Sequence, residues 1–225
     1  MGVLNFSSLI YGGVIMDKKE FIIEVLKRLR TLYEPKIALN FSNPWELLVA
    51  TILSAQTTDE RVNMVTEKLF KKYKTPEDYL KVPLEELEQD IKSINYYRTK
   101  AKNIRACAQI ILEKYGGKVP DTMEELLKLP GVARKTANVV LSAGYGKNEG
   151  IVVDTHVDRL SKRFNLSKEK NRDKLEQDLM KIVPREEWAN FSYLLIHHGR
   201  NVCKAKNPKC DECILNDICP SAFIK

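Results

Sequence analysis

The sequence predicts an all-α fold, and three observations carry that expectation. Apolar residues recur at helical spacing along nearly the whole chain. Residues that open and stop helices stand at the ends of those stretches. No strand-like alternation lasts long enough to build a sheet. With 225 residues the chain is long enough for one large domain or two small ones, each with a hydrophobic core.

Residues 1–15 are apolar and uncharged, without the basic start and small-residue cleavage site of a secretory leader. After Met16, residues Phe21, Ile22, Val25, Leu26 and Leu29 fall on one helical face, with Asp17 as the N-cap. The expectation is that Met16 is the functional start, or that residues 1–16 form a small N-terminal extension. Asn43-Pro44 then opens a helix whose apolar face is Trp45, Leu48, Val49, Ile52 and Leu53. The polar break SAQTTDE leads into a helix with Val62, Val65, Leu69 and Phe70 inward. Thr75-Pro76 and Pro83 open two short helices, the second over 84–92. Residues 100–115 carry Ile104, Ala108, Ile111, Leu112 and Tyr115 on one face and stop at Gly116-Gly117. Cys107 lies beside that face and reads as core filling. Thr122 and Glu125 have capping-box spacing, Pro130-Gly131 breaks the helix that follows, and another helix spans 134–143. Helices near 157–164, 171–182 and 186–197 complete the series. A faint echo links LEELEQDIKSINYYRTKA (84–101) with MEELLKLPGVARKTA (123–137), placing Asn95 where Gly131 sits, at a positive φ that Asn tolerates.

Charge and composition narrow the function. A net charge of +7 admits a polyanionic partner. A hydrophobic content of 44% excludes a mostly disordered chain. The absence of an apolar run near ~18 residues excludes an ordinary transmembrane helix.

Three segments carry candidate chemistry. In Leu129-Pro130-Gly131-Val132-Ala133, Gly131 lets the backbone approach a ligand closely, and the helix that follows offers unpaired N–H groups to a phosphate. An ordinary helix connection would use the same turn. Lys135, in the first turn of that helix, sits at the dipole's positive end. That field, with Arg134 adjacent, favours the neutral amine that a nucleophile needs, whereas most lysines in this chain are solvated surface residues. Asp154 follows the apolar Ile151, Val152 and Val153 at a helix start, suited both to N-capping and to stabilising a developing cation. His156 and Asp158 fit packing and surface roles. Finally, Cys203, Cys210, Cys213 and Cys219 give C-x6-C-x2-C-x5-C within 17 residues. Without a secretory leader this spacing points to metal rather than disulfides; a zinc ion and an iron–sulfur cluster both fit four thiolates. Lys204, Lys206 and Lys209 in the first cysteine loop form a cationic knob suited to phosphates.

Taken together, LSAQTTD (53–59), LPGVARKTANVVL (129–141), VDTH (153–156), HGRNVC (198–203) and the cysteine spacing resemble the endonuclease III family, in order from about residue 17 to 219. The resemblance implies a two-lobed helix–hairpin–helix DNA glycosylase fold with a C-terminal [4Fe-4S] cluster loop. It implies a six-helix domain over 37–148 and a cluster domain of 17–36 plus 149–225. The implied function is removal of oxidised pyrimidines from double-stranded DNA, with cleavage of abasic sites through a lysine Schiff base. By the same resemblance Lys135 is the nucleophile, Asp154 the catalytic carboxylate, and Gln56 the residue that fills the gap left by a flipped base. Gly131, Val132, Ala133 and Arg134 form the phosphate-binding hairpin, and the four cysteines hold the cluster. The implied enzyme is a cytoplasmic, nucleoid-associated monomer with no membrane partner.

Two positions depart from the family pattern. Ala133 replaces a glycine, which costs on the order of 1 kcal/mol if the site needs positive φ and nothing if it is helical. Asn95-Tyr96 replaces a Gly-Leu type pair, making Tyr96 an aromatic wedge able to stack on a base. The rival readings are a mismatch-specific adenine or thymine glycosylase of the same superfamily and a non-enzymatic DNA-binding protein with a zinc knuckle. Lys135 argues against the first, and a yellow-brown purified protein would argue against the second.

Overall fold

The computed structural model describes residues 8–11 and 14–223. Its elements, in chain order, are β1 (Ser8–Tyr11), β2 (Val14–Asp17), α1 (Lys18–Arg30), α2 (Pro44–Ser54), α3 (Asp59–Lys72), α4 (Pro76–Lys81), α5 (Leu84–Asp90), α6 (Tyr97–Tyr115), α7 (Met123–Leu126), α8 (Arg134–Val139), α9 (Thr155–Arg163), α10 (Arg172–Ile182) and α11 (Trp188–Asn201). The chain divides into two compact units, one of Met1–Lys36 with Gly150–Lys225 and the other of Ile37–Glu149.

The discontinuous unit is built on α1. Asp17 caps it by accepting from the Lys19 and Glu20 amides at 2.8 and 2.9 Å, and Glu20 reaches back to the Asp17 amide at 3.0 Å. Phe21, Ile22, Val25, Leu26 and Leu29 are buried on one face of α1, as the periodicity predicts. They join Val157 and Leu160 of α9 with Phe164 just after it, Leu175 and Leu179 of α10, and Phe191, Leu194 and Leu195 of α11 in one core. Leu215 and Ile218 bring the C-terminal cysteine loop into that core.

The contiguous unit is organised around α6, which packs against α2, α4 and α5. Leu47, Leu48, Leu53, Tyr79, Leu87, Ile104, Ala108 and Ile111 are fully buried there. The Asn43 side chain accepts from the Glu46 amide at 2.9 Å with Pro44 in the first turn, so both predicted start signals of α2 operate. Cys107 is buried in the core, and its thiol donates to the Pro130 carbonyl at 3.2 Å.

The structure departs from the sequence reading at several elements. A short antiparallel hairpin, Ser8↔Asp17 to Tyr11↔Val14, precedes α1. Each strand spans only four residues, too few for alternation to register, but SLIY and VIMD are rich in apolar and β-favouring residues. What was expected of residues 1–7, 12 and 13 lies outside the described residues. The helix expected over 134–143 is α only to Val139 and widens into a π turn over Val140–Gly144. Helix α6 opens at Tyr97, three residues before the expected start.

Candidate functional site

The hairpin before α8 is held by its glycine. Gly131 has φ +75°, and a Cβ there would meet the Asn103 side chain of α6, with Nδ2 only 2.5 Å away. Alanine at Gly131 therefore adds left-handed strain of about 1–2 kcal/mol and forces Asn103 aside. G131A is expected to lower the melting temperature by several degrees, about 1–3 kcal/mol, read by thermal melts. Val132 turns its side chain inward and spends its amide on Leu129 O at 3.2 Å, so it serves the turn itself.

Ala133 resolves its departure differently from either alternative. At φ −90°, ψ 170° it is extended, a conformation open to any residue, and it sits at the N-cap without being helical. Its methyl offers no side-chain cap to α8. Lys135 is exposed as the second residue of α8, and the π turn one helical turn later is a common feature of functional helices.

The segments carrying Gln56 and Tyr96 lie side by side. Both residues are left-handed, with φ of 56° and 57°, and Tyr96 is 67% exposed. For non-glycine residues this costs about 1–2 kcal/mol each and persists only where surroundings enforce it. The echo with the Gly131 turn placed positive φ at Asn95; the structure places it one residue later. The Asn95 side chain is instead a donor, its Nδ2 bonded to the Gln56 carbonyl.

Asp154 stands where the buried run Ile151–Val153 meets α9. The run is anchored by the Val152 amide, which donates to Ser192 Oγ at 3.1 Å. Asp154 Oδ1 accepts from the His156 and Val157 amides at 2.8 and 2.9 Å. Among the described residues both of its hydrogen bonds fall on Oδ1, which leaves Oδ2 for a ligand. The cap is thus a rigid mount for the carboxylate. Gly199 of α11 permits the close approach of α9, since a Cβ there would lie 2.9 Å from His156 Nδ1.

Burial and the charges of Arg159 and Arg200 hold the His156 imidazole below its usual pKa, burial being the larger cause and Asp154 opposing. Arg159 Nη2 donates to Gly199 O at 2.9 Å and Cys203 O at 3.0 Å, tying the helix that carries Asp154 to the cysteine loop.

Cys203, Cys210, Cys213 and Cys219 are half-buried, free of disulfides, and line one cavity with Arg163 and His198. Among the described residues, no group of three or more His, Cys, Asp or Glu side chains is placed to hold a single metal ion. Arg163 Nη1 donates to Cys203 Sγ at 3.0 Å, and His198 Nε2 lies 3.4 Å from Cys213 Sγ. Burial pushes the Cys219 thiol up to about 11 and Cys213 in the same direction. Thiolates in such a setting need positive charge beside them, which a bound iron–sulfur cluster would supply, and four cysteines lining one cavity fit such a group. C213S is expected to lose bound iron and the visible absorption of the purified protein, and to loosen the C-terminal loop, as measured by iron analysis and proteolysis.

In the same loop Lys204, Lys206 and Lys209 are exposed, and Lys209 pairs with Glu212 at 2.9 Å. An exposed pair of this kind is worth little and leaves the lysine able to exchange partners. Lys135 belongs to the contiguous unit and Asp154 to the discontinuous one. Sequence reasoning missed Lys100, Asn103, Arg163 and His198, and it read Asn95 as the positive-φ residue rather than as a side-chain donor to Gln56. Only Lys100 left a signal: a lysine on the apolar stripe of Ala101, Ile104, Cys107 and Ala108.

Residues 49–185 match the HhH-GPD superfamily of base excision DNA repair proteins, and residues 203–219 match the iron-sulfur binding domain of endonuclease III. The chain is 50% identical to endonuclease III of Synechocystis sp. over 92% of this chain and 94% of that protein. It is 43% identical to endonuclease III of Escherichia coli K12 over 88% of this chain and 93% of that one. Among solved structures, a trapped endonuclease III–DNA covalent intermediate superposes with a TM-score of 0.85 at 47% identity, covering 92% of this chain and 98% of that one. A thermostable thymine-DNA glycosylase superposes with a TM-score of 0.81 at 28% identity, covering 91% and 96%.

Proposed function

Since the chain belongs to the endonuclease III family, we propose that Lys135 is its Schiff-base nucleophile and Asp154 the carboxylate that stabilises charge during base release. The activity itself is that of the family: a base-excision glycosylase for oxidised pyrimidines in DNA that also cleaves abasic sites. The observation that carries the residue assignment is the exposed amine of Lys135 in the first turn of α8, two residues beyond an extended Ala133.

The chemistry follows from those groups. A damaged base stacks weakly, so extruding it from the duplex costs less than extruding an intact one. The Lys135 amine attacks the sugar C1′ as the C1′–N bond breaks and the base departs. Asp154, with Oδ1 fixed by two amides, holds negative charge near the cation that develops on the sugar. Opening of the sugar ring gives the protonated Schiff base, which acidifies the neighbouring C2′ proton. Loss of that proton expels the 3′ phosphate and nicks the strand.

Gln56 fills the gap left by the extruded base, Tyr96 stacks beside it, and the Gly131–Arg134 turn grips backbone phosphate. Lys204, Lys206 and Lys209 add charge for the phosphate backbone. Cys203, Cys210, Cys213 and Cys219 hold the [4Fe-4S] cluster, which when bound supplies positive charge and a cross-link for the C-terminal loop. One chain supplies every residue in this reading, so the enzyme acts as a monomer, on DNA in the cytoplasm. Among the described residues no helix is long and apolar enough to cross a membrane.

A panel of duplexes tests the reading: oxidised pyrimidines, abasic sites, and adenine or thymine mismatches. Base release with strand nicking on the first two supports it. Activity confined to mismatches without nicking overturns it.

A further inference from the structure

We propose that Lys100 and Asn95 form a clamp that positions Gln56 for insertion into the gap left by an extruded base. The inference rests on the reading of Gln56 given above and extends it to two residues that act through the Gln56 loop.

Lys100 lies on the buried stripe of α6 and is only 5% exposed. Its ammonium donates to Leu53 O at 2.8 Å and Ala55 O at 2.6 Å, with Thr57 Oγ1 at 3.4 Å. These acceptors lie on both sides of Gln56. A lysine serving only to cap α2 would need the carbonyls of its last turn, such as Leu53. Lys100 reaches past the helix end at Ser54 to the two residues that flank Gln56.

The second tether is Asn95, whose Nδ2 donates to the carbonyl of Gln56 itself. Together the two side chains hold the backbone before and at a residue with φ 56°, and the Thr57 hydroxyl after it. That conformation is sparsely populated by glutamine unless its surroundings over-determine it. Tyr96 lies between the two tethers in sequence and shares the left-handed conformation. The segments that carry Gln56 and Tyr96 are therefore fastened to each other by the same short stretch of chain.

Keeping an ammonium in this position is unfavourable in itself. Burial pulls Lys100 down to about 8, so it stays largely charged near neutrality while the carbonyls stand in for water. An apolar side chain of the same length would fill the space without that penalty but would leave the carbonyls unmatched. A group with three donors directed at three acceptors suits positioning better than it suits filling.

The test compares K100M, N95A and Q56A, and the doubles K100M/Q56A and N95A/Q56A, on a duplex carrying an oxidised pyrimidine. A second duplex, with a non-cleavable abasic analogue opposite 2-aminopurine, reports stacking in the gap by fluorescence. Misplacing the loop is expected to slow excision about tenfold in K100M and somewhat less in N95A. Each double should be no slower than Q56A alone, because all three changes disable one function. The 2-aminopurine response to binding should be lost in K100M and N95A as it is in Q56A. Asn95 is exposed, so N95A keeps the test decisive if K100M does not fold. Losses that multiply in the doubles, or a 2-aminopurine response like that of the unaltered enzyme in N95A, overturn the clamp. If Q56A itself excises at the unaltered rate, the reading of Gln56 fails and the clamp falls with it, a result distinct from multiplied losses.

Discussion

Replacing Lys135 with alanine is expected to reduce strand nicking at least about 10³-fold, because no other group then supplies the covalent nucleophile. Folding should be unaffected. Lys135 is exposed on α8, its side chain fills no core space, and alanine is the better helix former. DNA affinity should fall only modestly, since one exposed lysine contributes one of several phosphate-directed charges. The separation is the informative part: K135A should bind a lesion duplex, melt normally and fail to nick it. Nicking within a few-fold of the unaltered enzyme would remove Lys135 from the chemistry.

Asp154→Asn is the second large effect, and the structure makes it a clean one. Asparagine caps helices as well as aspartate, so the bonds now made by Oδ1 to the His156 and Val157 amides survive the change. Stability should therefore stay within a few tenths of a kcal/mol, while the negative charge is lost. Base release is expected to slow roughly 10²–10⁴-fold. Nicking at a preformed abasic site should slow less, because the base has already departed. D154A removes the cap as well as the charge and should melt earlier, by about 1 kcal/mol. A D154N enzyme that releases oxidised bases at the unaltered rate would reduce Asp154 to a helix cap.

Much of this arrangement is legible in the sequence because it depends on neighbours in the chain. The caps at Asp17, Asn43, Thr122 and Asp154 are all local, each joining a side chain to amides two or three residues on. The buried face of α1 follows from its 3.6-residue period. Gly131 is readable for the same reason, since a Pro-Gly turn specifies its own backbone.

What escapes the sequence is decided at long range. Lys100 reads as one more lysine until α6 docks and brings its ammonium to Ala55, 45 residues earlier. Asn95 was the natural residue for positive φ. Its side chain is instead spent on Gln56, 39 residues away, and the left-handed turn moves to Tyr96. Arg163 resembles an ordinary basic residue in the last turn of α9, yet its guanidinium reaches Cys203, 40 residues on. Short strands such as β1 and β2 escape for another reason: four residues are too few to distinguish a period of two from chance.

The central claim is a covalent bond between Lys135 and the sugar of a damaged nucleotide. Reductive trapping tests it most directly. The enzyme is mixed with a duplex carrying an oxidised pyrimidine, borohydride is added, and the cross-linked peptide is mapped by mass spectrometry after proteolysis. The expected result is a single adduct on Lys135, absent from K135A. An active enzyme that yields no adduct, or an adduct mapped to another lysine or to the amino terminus, would contradict it.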